Sequence, residues 1–224
     1  MNYAKLIDHT YLKPEGTSKE IDKLIKEAIE FSFGSICINS SWIKYAKEKL
    51  KNNKDIKIVS VVGFPLGACI SQIKVQEAKL SIDHGADEID MVINIGRFKD
   101  GQYDYVLNEI KKVKEACGNK ILKVIIETAL LKDWEIEKAT SIVLASGADF
   151  IKTSTGFSYR GADKKDIEIF NKVIGSNKLK IKAAGGIKTM DDIKMYVEMG
   201  VERFGTSSSV AIFTGEKIKN DSSY

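Results

Sequence analysis

The chain has 224 residues, of which 43% are hydrophobic, enough to bury the core of one mid-sized domain. Its 35 basic and 31 acidic residues leave a formal charge of only +4, and the lysines are spread along helix-like runs such as EIDKLIKEAIE and YDYVLNEIKKVKEA, which argues for a mixed solvated surface over a concentrated nucleic-acid-binding patch. Three isolated cysteines (Cys37, Cys69 and Cys117), no leader-like apolar segment after Met1 and no bilayer-length apolar run argue against a disulfide framework or a membrane span and predict a cytoplasmic protein.

Short β-branched runs alternate with amphipathic segments from one end to the other. Residues 6–8 form a brief candidate strand, followed by a helix over 18–30 capped by Thr17 or Ser18. Strand 35–39 (SICIN) precedes helix 41–51, and strand 57–63 (KIVSVVG) precedes helix 72–84. Strand 88–94 (EIDMVIN) leads to helix 103–116, and strand 121–128 (ILKVIIET) to helix 134–146. Strand 149–155 (DFIKTST) leads to helix 164–173, and strand 179–186 (LKIKAAGG) to helix 190–199. Strand 203–208 (RFGTSS) and a short helix through Phe213 complete the series.

These make about eight strand–helix units, the number that closes a (β/α)8 TIM barrel. Gly85 and Gly147 each open a Gly-Ala-Asp that ends one helix and starts the next strand, and Gly200-Val201 plays the same part. The prediction is a single α/β domain over residues 1–216 with a polar, flexible tail over 217–224. An open doubly wound sheet is the competing architecture, but its GxGxxG fingerprint after the first strand is missing.

A barrel of this kind carries its chemistry at the C-terminal ends of its strands. Alternation puts Phe150 and Lys152 on the inner face of their strand and Ile151 on the outer one. Desolvation favours the neutral amine, the form that attacks carbonyls to make Schiff bases. A lone lysine there would be explained as well by snorkelling or by a carboxylate partner. Lys182 on the next strand changes that balance, because two neighbouring ammonium groups repel and one is driven towards neutrality. Lys180 shares the parity of Lys182 and is placed in solvent at the bottom rim.

Asp90 shares its inward face with Glu88 and Val92, where it can act as an ion-pair partner and as a proton shuttle through water. Lys123 is the candidate that fixes it. The strand-end loops TSTG, AAGG and GTSSS offer backbone N–H groups to a phosphate. Cys37 is either a pocket residue or a small buried filler. With two histidines, His9 and His84, and no acidic cluster at ligand spacing, neither a zinc nor a two-metal mechanism is expected.

The segments LIDHTYLKP, SICIN, VVGFPLGA, GADEIDMVINIG, LKVIIET, GADFIKTSTGF, IKAAGGI and RFGTSSSV, in this order, resemble the deoxyribose-phosphate aldolases. Those are class I aldolases, which cleave 2-deoxy-D-ribose 5-phosphate to D-glyceraldehyde 3-phosphate and acetaldehyde without a cofactor. The resemblance implies that Lys152 is the Schiff-base lysine, that Lys182 perturbs it, and that Asp90 exchanges protons through water. It implies substrate contacts from Asp8, Thr10, Cys37, Lys123 and Thr155, and a phosphate cradle of Gly156, Gly185, Gly186, Ser207 and Ser208. Tyr224 matches a terminal tyrosine that reaches into the site in some members, as a proton relay. It also implies a homodimer or higher homo-oligomer whose partners are small phosphosugars and aldehydes.

The chain departs from the family at Cys69, Ile70 and Ser71, where threonines are usual, and at Ser158, Tyr159 and Arg160, where smaller residues are common. The second departure is expected to alter the phosphate entrance. An isomerase of the same barrel type, a phosphosugar-binding barrel without catalysis and a nucleic-acid-binding domain are the competing functions.

Overall fold

Apolar residues at three- and four-residue spacing bury Ile21, Leu24, Ile25 and Ala28 along one side of α1 (Ser18–Glu30). Thr17 and Glu20 close its N-terminus as a capping box. The same logic repeats around the molecule in a computed structural model that describes residues 1–216.

The strands are β1 (Ile7–Tyr11), β2 (Ser35–Ile38), β3 (Lys57–Val62), β4 (Glu88–Val92), β5 (Ile121–Ile125), β6 (Phe150–Lys152), β7 (Lys180–Ala184) and β8 (Val201–Thr206). They pair in parallel, each with its sequence neighbour, and β8 returns to β1 to close the barrel. The covering helices after α1 are α2 (Ile43–Lys49), α3 (Ser71–Asp83), α4 (Ile95–Lys99), α5 (Tyr103–Cys117), α6 (Asp133–Ser146), α7 (Lys164–Ile174), α8 (Met190–Glu198) and α9 (Ser209–Thr214). The (β/α)8 expectation is borne out.

Alternation along the strands divides the core in two. Outward residues such as Ile36, Met91, Val124, Ile151 and Phe204 pack with the helices in the main apolar cluster. Inside the barrel a smaller cluster of Leu12, Cys37, Val59 and Val61 lines one side, with Phe64 and Phe157 packed on it. The rest of the barrel interior is largely charged, and that is where the site lies.

Several boundaries differ from the sequence reading, each for a local reason. The first strand runs to Tyr11, which brings His9 and Thr10 into the sheet. Helix 41–51 begins instead as a 3-10 turn at Ser40–Trp42. The short α4, capped by Asn94, had no separate signature in the sequence. β5 stops at Ile125, and Glu127 soon after is left-handed at φ 54°, which ends the extended run. β6 has only three residues, after which the Thr153 hydroxyl accepts from the Ala184 N–H at 3.1 Å and takes over from the ladder.

The last strand starts at Val201 and carries a bulge. Ile181 lies opposite Val201, but Lys182 lies opposite Arg203, so Glu202 is the extra residue. Glu202 turns outward to Lys180 at 2.9 Å, which places Lys180 on the exposed rim as expected. Arg203, displaced by one step, turns inward beside Lys182.

Candidate active site

Four adjacent strands bring the central charges together. Asp90 and Lys123 are partners between β4 and β5, Ile125 and Lys152 between β5 and β6, and Lys152 and Lys182 between β6 and β7. Asp90 is the hub. Its Oδ2 accepts from Lys152 Nζ at 2.7 Å and from Lys182 Nζ at 2.6 Å, and its Oδ1 accepts from Lys123 Nζ at 3.0 Å. Asp8 lies on the other side, accepting from Lys182 and, at 2.5 Å, from the Ser35 hydroxyl.

Below this layer Lys123 also approaches Glu88 at 2.5 Å. Arg203 bridges Asp8 at 3.1 Å and Glu88 at 2.8 Å. The ion pairs thus join the three carboxylates of Asp8, Glu88 and Asp90 to the four bases Lys123, Lys152, Lys182 and Arg203. Lys123 and Lys182 are fully buried, and Lys152 is 3% exposed.

The lysines do not share this field equally. For Lys152, burial disfavours the ammonium and Lys182 adds repulsion, which together outweigh attraction by Asp90 and lower its proton affinity. Burial opposes the charge on Lys182 too, but Asp8 and Asp90 both face it and hold its proton more firmly than usual. Lys123 is likewise held protonated against burial by Asp90, Asp8 and Glu88. Burial works against the Asp8 and Asp90 carboxylates, yet the surrounding cations keep both well below the usual carboxylate range. Lys152 is therefore the amine of the three with its charge destabilised, and it ends the strand at the mouth of the barrel.

Cys37 lies in the inner apolar cluster. Burial, reinforced by Asp90, pushes its thiol up to about 11, so near neutrality it is a protonated, uncharged wall. Thr10 is paired with Cys37 across β1 and β2, and its hydroxyl is turned back on the Asp8 carbonyl at 2.7 Å.

The glycine loops converge at the same end. Gly156, Gly185 and Gly186 are all left-handed, at φ 89°, 75° and 75°. Gly161 lies so close to Gly185 that a Cβ on it would fall 2.2 Å from the Gly185 carbonyl carbon. Ser207 and Ser208 follow β8, where Thr206 bonds the Ile187 carbonyl at 3.5 Å and ties this loop to the one after β7. Thr155 is occupied in shaping its own loop. Its hydroxyl donates to Glu127 and accepts from the Phe157 N–H at 3.0 Å. Tyr224 lies outside the described residues.

Arg160, expected at the phosphate entrance, instead grips Asp166 through both nitrogens at 2.6 and 3.0 Å and the Thr128 carbonyl at 3.1 Å. It ties the turn after β5 to α7. Tyr159 remains 78% exposed.

The sequence reading missed two members of the cluster. Glu88 was recognisable as inward on parity but carried no role. Arg203 gave no signal, because unbroken alternation would pair it with outward Ala183. His9 faces away from the barrel interior, with Nδ1 3.0 Å from Ser209 Oγ and Nε2 2.9 Å from Glu27. Among the described residues no group of His, Cys, Asp and Glu is arranged to hold a metal ion.

Comparison with protein-family models matches residues 3–215 to the family described as "DeoC/LacD family aldolase". The deoxyribose-phosphate aldolase of Mycoplasmopsis pulmonis (strain UAB CTIP) is 64% identical over 219 residues, covering 98% of this chain and 99% of that protein. Among solved structures, "QR15, an Aldolase" superposes with a TM-score of 0.91 at 36% identity, covering 96% of both chains. The tetrameric deoxyribose phosphate aldolase of Aeropyrum pernix superposes with a TM-score of 0.86 at 27% identity, covering 95% of this chain and 90% of that one.

Proposed function

Because the chain belongs to the DeoC/LacD family of aldolases, we propose that it catalyses the reversible cleavage of 2-deoxy-D-ribose 5-phosphate to D-glyceraldehyde 3-phosphate and acetaldehyde through a Schiff base on Lys152. The observation that carries this reading is the position of Lys152, buried at a strand end, its charge disfavoured and its nitrogen 2.7 Å from Asp90.

The lone pair of neutral Lys152 attacks C1 of the open-chain sugar phosphate, and loss of water leaves an iminium. That cation accepts the electron pair of the C2–C3 bond as it breaks. The proton of the C3 hydroxyl passes through a water to Asp90, whose Oδ2 is shared with Lys182. Glyceraldehyde 3-phosphate departs. The enamine is protonated at C2, for which Tyr224 is the proposed donor, and hydrolysis releases acetaldehyde and the free amine.

In this reading Asp8 and Lys123 hold the proton-transfer groups in place, while Thr10 and Cys37 line the pocket. Gly156, Gly185, Gly186, Ser207 and Ser208 cradle the phosphate, with Thr155 shaping the loop beneath it. An isomerase would have no need of the two lysines, Lys152 and Lys182, that Asp90 joins at 2.7 and 2.6 Å. A homo-oligomeric, cytoplasmic enzyme is part of the proposal. The tetrameric Aeropyrum pernix protein supports the first, and the lack among described residues of any helix able to cross a membrane is compatible with the second.

Borohydride reduction in the presence of acetaldehyde tests the reading. The expected product carries an ethyl group in place of a hydrogen on Lys152, located by peptide mass spectrometry. An unmodified Lys152, or undiminished cleavage by Lys152→Leu, would refute it.

A further inference from the structure

Glu88 and Arg203 lie beneath the reacting groups and have no part in the steps above. Both are buried in the barrel or nearly so: Glu88 is 4% exposed, and the Arg203 side chain 14%. Their ion pairs with each other, with Asp8 and with Lys123 make them one unit with the catalytic layer.

The argument is one of charge. A buried cluster resists any uncompensated charge, and relieves it by moving protons. Three carboxylates face four bases here. Arginine does not release its proton in proteins, so the surplus positive charge must be shed by a lysine. Lys182 lies between Asp8 and Asp90, and Lys123 approaches Asp8, Glu88 and Asp90. Lys152 has a single carboxylate partner, Asp90.

Cys37 and Glu127 also face Lys152, outside this ion-paired network. Cys37 is held in its uncharged form by burial. Burial also raises Glu127, which is bonded to Thr155. The groups facing Arg203 are Asp8 and Glu88 in direct contact, with Asp90 and Lys123 beyond them.

We propose that Arg203 is a positioning residue whose permanent charge, partly matched by Glu88, makes Lys152 the amine that gives up its proton. The inference rests on the reading of Lys152 as the Schiff-base nucleophile. The bulge at Glu202 is then functional, since it is what turns Arg203 into the barrel.

The sign of each change can be worked out. In Arg203→Met, three carboxylates face three lysines, and a proton on Lys152 restores neutrality. The amine then stays protonated to higher pH. In Glu88→Gln the positive surplus grows, and Lys152 is freed at lower pH. The double variant removes one charge of each sign and returns the balance to that of the wild type.

The experiment is the pH dependence of kcat/KM for cleavage, with borohydride trapping by acetaldehyde across the same range. The acid limb should move up by about one pH unit in Arg203→Met, move down in Glu88→Gln and return in the double variant. A merely structural role predicts a lower plateau at unchanged pH, with the double variant worse than either single one, and that result would overturn the proposal. Should Arg203→Met not fold, an unmoved limb in Glu88→Gln overturns it equally. Absence of trapping at Lys152 in the wild type identifies failure of the Schiff-base reading itself; trapping in the wild type with unmoved limbs in the variants identifies failure of the charge argument alone.

Discussion

Lys152 and Lys182 are partners across β6 and β7, and both donate to the same oxygen of Asp90, at 2.7 and 2.6 Å. Their difference comes from what else they touch. Lys182 has a second carboxylate in Asp8, and Lys152 does not. Lys182 is thereby held as a cation, while the charge on Lys152 is disfavoured.

Removal of that cation should therefore act on the proposed nucleophile, Lys152, in two ways. In Lys182→Met, Lys152 loses the repulsion that disfavours its charge and Asp90 loses one of the two ammonium groups on its Oδ2. Cleavage at neutral pH is expected to fall by about 10²–10⁴-fold, with the acid limb of kcat/KM displaced to higher pH. A pH–rate profile measures both, and an unmoved limb would contradict this account.

Asp90→Asn separates bond formation from bond cleavage. Asparagine cannot take the C3 hydroxyl proton, so turnover of the sugar phosphate should drop by about 10²–10⁴-fold. Adduct formation with acetaldehyde does not need that proton transfer. Borohydride should still label Lys152 in this variant, and parallel loss of labelling and turnover would assign Asp90 to amine activation instead.

The buried carboxylates also make stability depend on pH. Asp8 is held below its ordinary range, so the folded chain binds fewer protons than the unfolded one as pH falls. The stabilisation is fully present above the unfolded value, about 3.9, and is lost as pH drops through the lower folded value. Asp8→Asn should flatten the decline between about pH 5 and pH 2. It should also cost about 3–5 kcal/mol near neutrality, because Lys182 and Arg203 lose a buried partner. Urea unfolding across that pH range measures both effects.

The glycine loops predict a separation of substrates. A methyl group at Gly161 would press on the Gly185 carbonyl and shift the loop proposed to hold phosphate. In Gly161→Ala, KM for 2-deoxyribose 5-phosphate should rise about tenfold, while kinetics with unphosphorylated 2-deoxyribose change little. Equal losses on the two substrates would show that the loop does not serve the phosphate.

Much of this was legible in the order of residues, because two periodicities report directly on burial. The period of two placed Asp90, Lys123, Lys152 and Lys182 on inward faces, and the alternation of strands and amphipathic helices implied the barrel. A charged side chain in a short apolar strand is costly to bury, so each such residue stood out. Which charges meet was not legible, since contact between Asp8 and Lys182 spans nearly the whole chain and exists only when β8 closes on β1. Nor was Arg203, because one bulged residue reverses the parity on which a sequence reading depends. The sequence by itself determined that Lys152 is an inward lysine at a strand end; barrel closure and the bulge decided its electrostatic surroundings, through distances that only the folded chain creates.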